Sequence, residues 1–271
     1  MEATGVYYIR LAFFLHHQGC ALSVVNALSI KRFIQMHLER SKSDKKDARW
    51  ICIYGIERQP ALWQMPDRAY FEGKQLYNTI REYSEQIKRF NNQLHSLRLL
   101  PVVSKDTVKS LEKINGQLQQ EMKALELKLH ALLEQWQPVQ LKNISSIKGL
   151  GKRAAAMLIV FTQGFKNTRT HRQLISFAGL SPTEYNSGTS IKGKSTICKR
   201  GGKQLRDVLY MCAMNAMKTN TACKALYERL KAKGKTGKQA LIAVCNKLLK
   251  QAFAVVKNNT LYQPNYCSAK P

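Results

Sequence analysis

At 271 residues the chain has room for about two domains, and a 44% hydrophobic content is enough to bury real cores, which excludes wholesale disorder. Its 44 Lys plus Arg against 17 Asp plus Glu give a net charge of +27, far beyond the magnitude of roughly 2–8 that suits a small soluble domain. The partner this implies is a polyanion, nucleic acid before a ribosomal particle or an anionic membrane surface.

No run approaches the 18 or more uninterrupted apolar residues of a membrane-spanning helix, so no membrane role is expected. Seven cysteines form no CxxC pair and make an odd count. That argues against a zinc ribbon or a disulfide framework and for reduced, mostly buried thiols in a cytoplasmic protein.

Residues 1–70 alternate helix and strand. Met1–Gly5 lead into an apolar helix near Val6–His17, which Gly19 ends. Ala21–Asn26 reads as a short buried strand and Ile30–Glu39 as a second helix. Ser43 then opens a third, with Ala48, Ile51, Cys52 and Ile56 on one face. The alternation predicts an α/β sheet, with only one good strand in view. In residues 71–139 the apolar positions Ile80, Tyr83, Ile87, Phe90, Leu94 and Leu97 step by three and four. Beyond Pro101 the pattern resumes through Leu111, Ile114, Leu118, Met122, Leu125, Leu129 and Leu132. Two heptad-patterned helices follow, as an intrachain antiparallel hairpin, an intermolecular coiled coil or part of a plain bundle.

Residues 140–258 read as mostly helical. Ile147–Gly151 before Lys152–Phe161 resembles the turn of a helix-hairpin-helix, where Gly149 and Gly151, with Lys148 between the flanking residues, let backbone approach a phosphate at a helix N-terminus. A simple glycine turn is the plainer reading. A polar loop over Leu180–Gly202 precedes helices near Lys203–Lys218, Thr221–Lys233 and Gly237–Val256, and residues 259–271 read as a frayed tail.

Acids are scarce, so their positions carry information. Asp44 and Asp47, three apart at a helix start, share a face and could hold a hard divalent cation such as Mg2+. First-turn acids also simply complement the helix dipole. Lys192, Lys194, Lys199, Arg200, Lys203 and Arg206 crowd one loop and helix start with no acid among them, and eight basic residues face the single Glu228 over Lys224–Lys250. With glycines interleaved, phosphate contact fits these clusters better than a solvated face. Ser187 and Ser190 lie in the basic loop and could act as nucleophiles, although loop serines more often just bond backbone. The six histidines form no HxH or HxxxH set.

Three N-terminal fragments, Glu2–Gly5, Val24–Asn26 and Lys42–Ala48, resemble the N-terminal half of insertion-sequence transposases of the IS110 family, also called bridge recombinases, and look closest to its IS eleven-eleven branch. Ile147–Gly151, Phe165, Phe177–Pro182, Ser187-Gly188, Lys199–Gly202 and Leu205-Arg206 are similar to the family's C-terminal domain. The resemblance covers nearly the whole chain, and the order and spacing of the fragments carry it.

It implies an α/β plus α architecture: a partial RNase H-like (RuvC-like) four-acid domain, coiled-coil helices and a mostly helical C-terminal transposase domain. It also implies Mg2+ held by Asp, Glu, Asp and Asp, with Glu2 matching the second acid, Asp44 the third and Asp47 the fourth. A C-terminal serine, mapped to Ser187 with Ser190 as fallback, is the implied nucleophile. DNA, a structured guide RNA and a second copy of the chain are the implied partners. The first acid would lie upstream of Glu2, and Glu39, on a helix, cannot replace it. The chain as written is therefore expected to lack one metal ligand and to be without recombination activity. A non-catalytic, basic helix-hairpin-helix nucleic-acid-binding protein is the main alternative, and a four-acid junction nuclease that needs no serine is a third.

Overall fold

The computed structural model describes residues 1–264 except 40, 42, 167, 184–185, 188–190, 193–195 and 199–200, and gives only the backbone of 186–187 and 191–192. About 70% of the chain is helical and the strands are few and short. It divides into two units, residues 1–67 and 68–271.

In the first unit, β1 (Glu2–Ala3) pairs in parallel with β2 (Val25–Asn26), and α1 (Tyr7–His17) joins them in a βαβ arrangement. The strand expected over Ala21–Asn26 shrinks to two residues. The backbone before it has irregular partners: Leu22 O accepts from Trp63 N at 2.8 Å and Ser23 O from the Met1 amino group at 2.8 Å. Helix α2 (Ala27–Met36) starts and ends about three residues earlier than expected. Asn26 caps it by accepting from Leu28 N, and Leu38, at φ 55°, turns the chain away. Glu39 thus lies outside the helix, paired with Lys46 at 3.0 Å.

Helix α3 (Asp44–Arg58) opens where Ser43 predicts, the Ser43 hydroxyl accepting from Lys46 N at 3.3 Å. Its packed face is not the expected one, because Ala48, Cys52 and Ile56 are exposed. Aromatic contacts set the rotation instead: Trp50 and Tyr54 lie 6.1 and 5.1 Å from the Phe33 ring, and Trp50 lies 4.7 Å from His37.

The second unit begins with α4 (Arg68–Arg98) and α5 (Lys105–Trp136), which pair with each other as an antiparallel hairpin. Arg98 meets Glu112 at 2.9 Å near the tip, while Gly73 faces Leu129 and Leu132 at the base. The seam slips by one residue from the expected pattern: Ile114 is exposed, and Asn115 is buried, donating to Asn91 Oδ1 at 2.7 Å. Asn91 itself is exposed, so the pair ties a buried amide on the seam to the helix surface, and a buried polar residue on a heptad seam fixes register at some cost in stability.

The main core lies beyond the hairpin. Helices α6 (Pro138–Ser145) and α7 (Lys152–Phe161) frame the Ile147–Gly151 turn, and every α7 residue from Ala154 to Val160 is buried. Helix α9 (Lys203–Thr219) packs on α7; α10 (Thr221–Ala232) and α11 (Gly237–Lys257) pack on α9 and on each other; and α8 (His171–Phe177) packs on α11. Their starts follow their caps, with capping boxes at Thr170/Gln173 and Thr236/Gln239 and an Asn220 cap on α10. Helix α11 is long and apolar enough to cross a membrane, but Leu241, Val244, Leu248, Leu249 and Val255 bury its apolar side in this core.

The tail is not frayed through Tyr262, which donates from its N–H to Ser146 Oγ at 2.8 Å and from its hydroxyl to Asn220 Oδ1 at 3.0 Å. Nor are the thiols mostly buried: Cys20 and Cys52 are exposed and Cys198 and Cys212 half-buried. Burial pushes the thiols of Cys223 and Cys245 up to about 11 and about 12.

Candidate functional site

Asp44 and Asp47 stand in the first turn of α3, one turn apart, where the Ser43 cap fixes the start of the helix. Glu2 sits on β1, its carboxylate accepting from Thr4 Oγ1 at 2.9 Å. Both α3 and β1 pack against α2. Among the described residues no ion pair engages Glu2, Asp44 or Asp47, although the chain carries 44 Lys and Arg. Glu39, by contrast, is held down to a pKa of about 2, chiefly by its hydrogen bond from Lys46. These three carboxylates are oxygen donors of the kind a hard divalent cation takes. They are not drawn into one ligand group, however: among the described residues no cluster of three or more His, Cys, Asp and Glu is close enough to hold a metal.

The basic loop is a β-ribbon, which the sequence reading missed. β3 (Pro182–Thr183) pairs antiparallel with β6 (Thr196–Ile197), and nested within them β4 (Asn186–Ser187) pairs with β5 (Ile191–Lys192), placing Ser187 opposite Ile191. Thr183 Oγ1 bonds Thr196 O at 2.9 Å across the outer pair. Ser187 and Lys192 thus lie on the inner strands, whose backbone alone is described. Ser190, Lys194, Lys199 and Arg200 lie outside the described residues.

A backbone knot closes the base of this ribbon. Gly179, at φ 67°, and Gly201 come so close that a Cβ on Gly179 would lie 2.7 Å from Gly201 N. A Cβ on Gly201 would overlap Phe177 O and Gly179 N. Arg206 does not present its guanidinium freely to a ligand, as expected of a phosphate contact. Its Nη1 donates to Ala178 O at 3.1 Å and Gly201 O at 2.9 Å. The stretches around Phe177–Leu180, Gly201-Gly202 and Arg206 are therefore one structural device that aims the ribbon. Lys203, at the start of α9, is exposed beside it.

The Ile147–Gly151 turn has a similar mixed explanation. Gly149 is at φ 100°, and a Cβ there would lie 2.5 Å from the Ala216 Cβ, so packing on α9 alone demands glycine. Gly151 is different: nothing lies within 4 Å of a Cβ there, and it starts α7 without a side-chain cap, flanked by exposed Lys148 and Lys152. Lys148 O accepts from Asn220 Nδ2 at 3.1 Å, which pins the turn to the start of α10.

The comparisons with known proteins follow these same two regions. Residues 1–102 match a DEDD-type transposase profile of IS110 elements, and residues 141–228 match the Transposase IS116/IS110/IS902 family. The chain belongs to the IS110 transposase family. It is 29% identical over 266 residues to the pilin gene-inverting protein of Moraxella lacunata, covering 96% of this chain and 80% of that protein, and matches the Moraxella bovis counterpart to the same extent. It is also 35% identical over 147 residues to the insertion element IS110 uncharacterized 43.6 kDa protein of Streptomyces coelicolor, over 53% of this chain and 35% of that one. The IS110-family chain is thus a transposase, a DNA-recombining enzyme of an insertion sequence. A DEDD domain places it among divalent-metal-dependent, nuclease-like enzymes acting on DNA.

Proposed function

We propose that this transposase recombines insertion-sequence DNA by covalent serine catalysis, with Ser187 as nucleophile and Glu2, Asp44 and Asp47 as ligands of Mg2+. The observation that carries the reading is the Asp44/Asp47 pair on a capped helix start, without ion-pair partners among the described residues of a strongly basic chain. Bound there, the cation supplies charge stabilisation to a phosphate undergoing displacement. The Ser187 oxygen attacks phosphorus, its proton passing to a base. The bond from phosphorus to one strand oxygen breaks, and that oxygen leaves as a hydroxyl. A hydroxyl of the recombining strand then attacks the serine–phosphate diester, restoring serine and a phosphodiester with no external energy source.

Lys192, Lys194, Lys199, Arg200 and Lys203 hold the DNA backbone near the ribbon, and Lys148, Gly149 and Gly151 offer a further phosphate contact at the α7 N-terminus. A structured guide RNA and a second copy of the chain complete the working complex. The ribbon supports this reading because its base is clasped by Gly179, Gly201 and Arg206 and its inner strand carries Ser187.

Trapping the protein–DNA adduct after incubation with element-end DNA and Mg2+, followed by denaturing electrophoresis, tests the proposal. Any adduct that the parent chain forms is expected to persist with Ser190→Ala and to vanish with Ser187→Ala, Asp44→Asn or Asp47→Asn. Unchanged DNA binding with no adduct from any version would favour the non-catalytic binding protein.

A further inference from the structure

Three concavities in the second unit, of about 410, 580 and 430 Å³, meet at one side chain, Lys250 of α11. The first two also share Lys247 and Ala222, and the last two share Asn246, so together they form one continuous trough across α8, α10 and α11. Arg172, Arg229, Lys247 and Lys250 line it, and no carboxylate does among the described residues. None of these four cations has an ion-pair partner among the described residues, and the nearby Glu228 is engaged by Lys224 at 4.0 Å. The floor is made of small side chains, Ala222, Ala243 and Ala254.

One wall is the segment Thr260–Pro264, and it is built rather than loose. Tyr262 bonds Ser146 and Asn220, and the Asn220 amide also donates to Gln251 Oε1 at 3.1 Å. The trough therefore exists before any ligand arrives.

We propose that this trough, which reaches the ribbon base at Ser181 and Pro182, is a second nucleic-acid site beside the basic loop, and that it holds an unpaired DNA strand. The cations match a phosphodiester backbone, and the alanine floor with the Tyr262 ring suits sugars and base faces. Concavities of a few hundred cubic ångströms admit single nucleotides, whereas the convex backbone of a duplex cannot enter them. Asn246 lines two of the concavities, which places an amide side chain between the cations. The choice of DNA rests on the chain being a DNA-recombining enzyme, but not on the acids or on Ser187.

The test is fluorescence anisotropy on the full chain with EDTA present, so that failure of the catalytic proposal cannot affect it. The probes are a single-stranded DNA of about 15 nucleotides, the same sequence as RNA, and the DNA duplex. Lys247→Ala with Lys250→Ala is expected to weaken single-strand binding about tenfold and to flatten its salt dependence by about 1.4 in log–log slope. Duplex binding should change less than about twofold, because the basic surface elsewhere is intact. Lys233→Ala with Lys235→Ala removes the same charge outside the trough and should leave single-strand affinity within about twofold. Ala225→Trp, at an exposed position lining the middle concavity, blocks the trough without altering charge and should weaken the single strand alone. Equal losses from both lysine pairs, an equal loss for duplex, no loss with Ala225→Trp, or tighter binding of RNA than DNA would each overturn the assignment.

Discussion

The two units bear their candidate chemistry on unequal foundations. In residues 1–67 the buried apolar side chains are Ala12, Ile30 and Phe33, and α3, which carries both aspartates, has no fully buried residue. In the second unit α7 is buried on nearly every side, and α11 sends Leu241, Val244, Cys245, Leu248, Leu249, Ala252 and Val255 into a continuous core. Acids on a lightly consolidated helix can shift as a ligand is added, whereas a ribbon anchored by a buried knot is aimed in advance. The unit with the candidate metal ligands thus has the thinner core and the unit with the candidate nucleophile the thicker one, and among the described residues no three acids, histidines or cysteines gather at one point.

Matched glycine substitutions give the largest test of that contrast. Gly149→Ala places a Cβ against Ala216 at a φ of 100°, and is expected to cost about 3 kcal/mol, combining backbone strain and overpacking. Gly55→Ala, in α3 with open space around it, is expected to gain about 0.5–1 kcal/mol from helix propensity alone. Thermal melting of both variants checks this, and a destabilising Gly55→Ala would show that α3 is more tightly packed than its exposure indicates.

Arg206→Ala comes next. It strips two charge-assisted hydrogen bonds from the knot and should cost about 2 kcal/mol. Amide exchange should quicken at Cys198 and Gly202, whose N–H groups bond Ser181 and Phe177 at the ribbon base. Loss of protection throughout α7 instead would mean that the knot supports the core rather than the ribbon.

The smallest effect belongs to the exposed Glu39–Lys46 pair before α3. Glu39 has a pKa near 2 when folded, below its ordinary 4.5, so the pair contributes above pH 4.5 and its contribution fades as pH falls toward 2. Following the Glu39 carboxyl by NMR should give a midpoint near 2, returning toward 4.5 in Lys46→Met. A midpoint near 4.5 in the parent would show that the pair does not persist in solution.

What could be read from the sequence was whatever is decided within one or two turns of chain. Ser43, Asn220 and Thr236 announce their helices because a cap acts on amides two or three residues away. The heptad spacing announced two long helices, and left open whether they pair as a hairpin, an intermolecular coiled coil or part of a plain bundle. What escaped depends on distant partners. The rotation of α3 is set by Phe33 and His37 rather than by its own apolar spacing. Asn115 takes the seam from Ile114 because Asn91 stands opposite. The ribbon strands are two residues long and rich in Thr, Ser and Asn, so they have no alternation to detect. At the candidate site the local Asp44/Asp47 pair was visible, while its relation to Glu2 is a matter of tertiary contact. Arg206 looked like one more surface cation because its carbonyl partner in Ala178 lies 28 residues away.

The Gly179–Gly201 knot gives the ribbon a further property. The two ends of residues 180–200 are clasped by close backbone packing of Gly179 on Gly201 and by Arg206, so the ribbon that carries Ser187 is mounted at a single point, and a change at that one point would move the whole ribbon rather than any one of its residues.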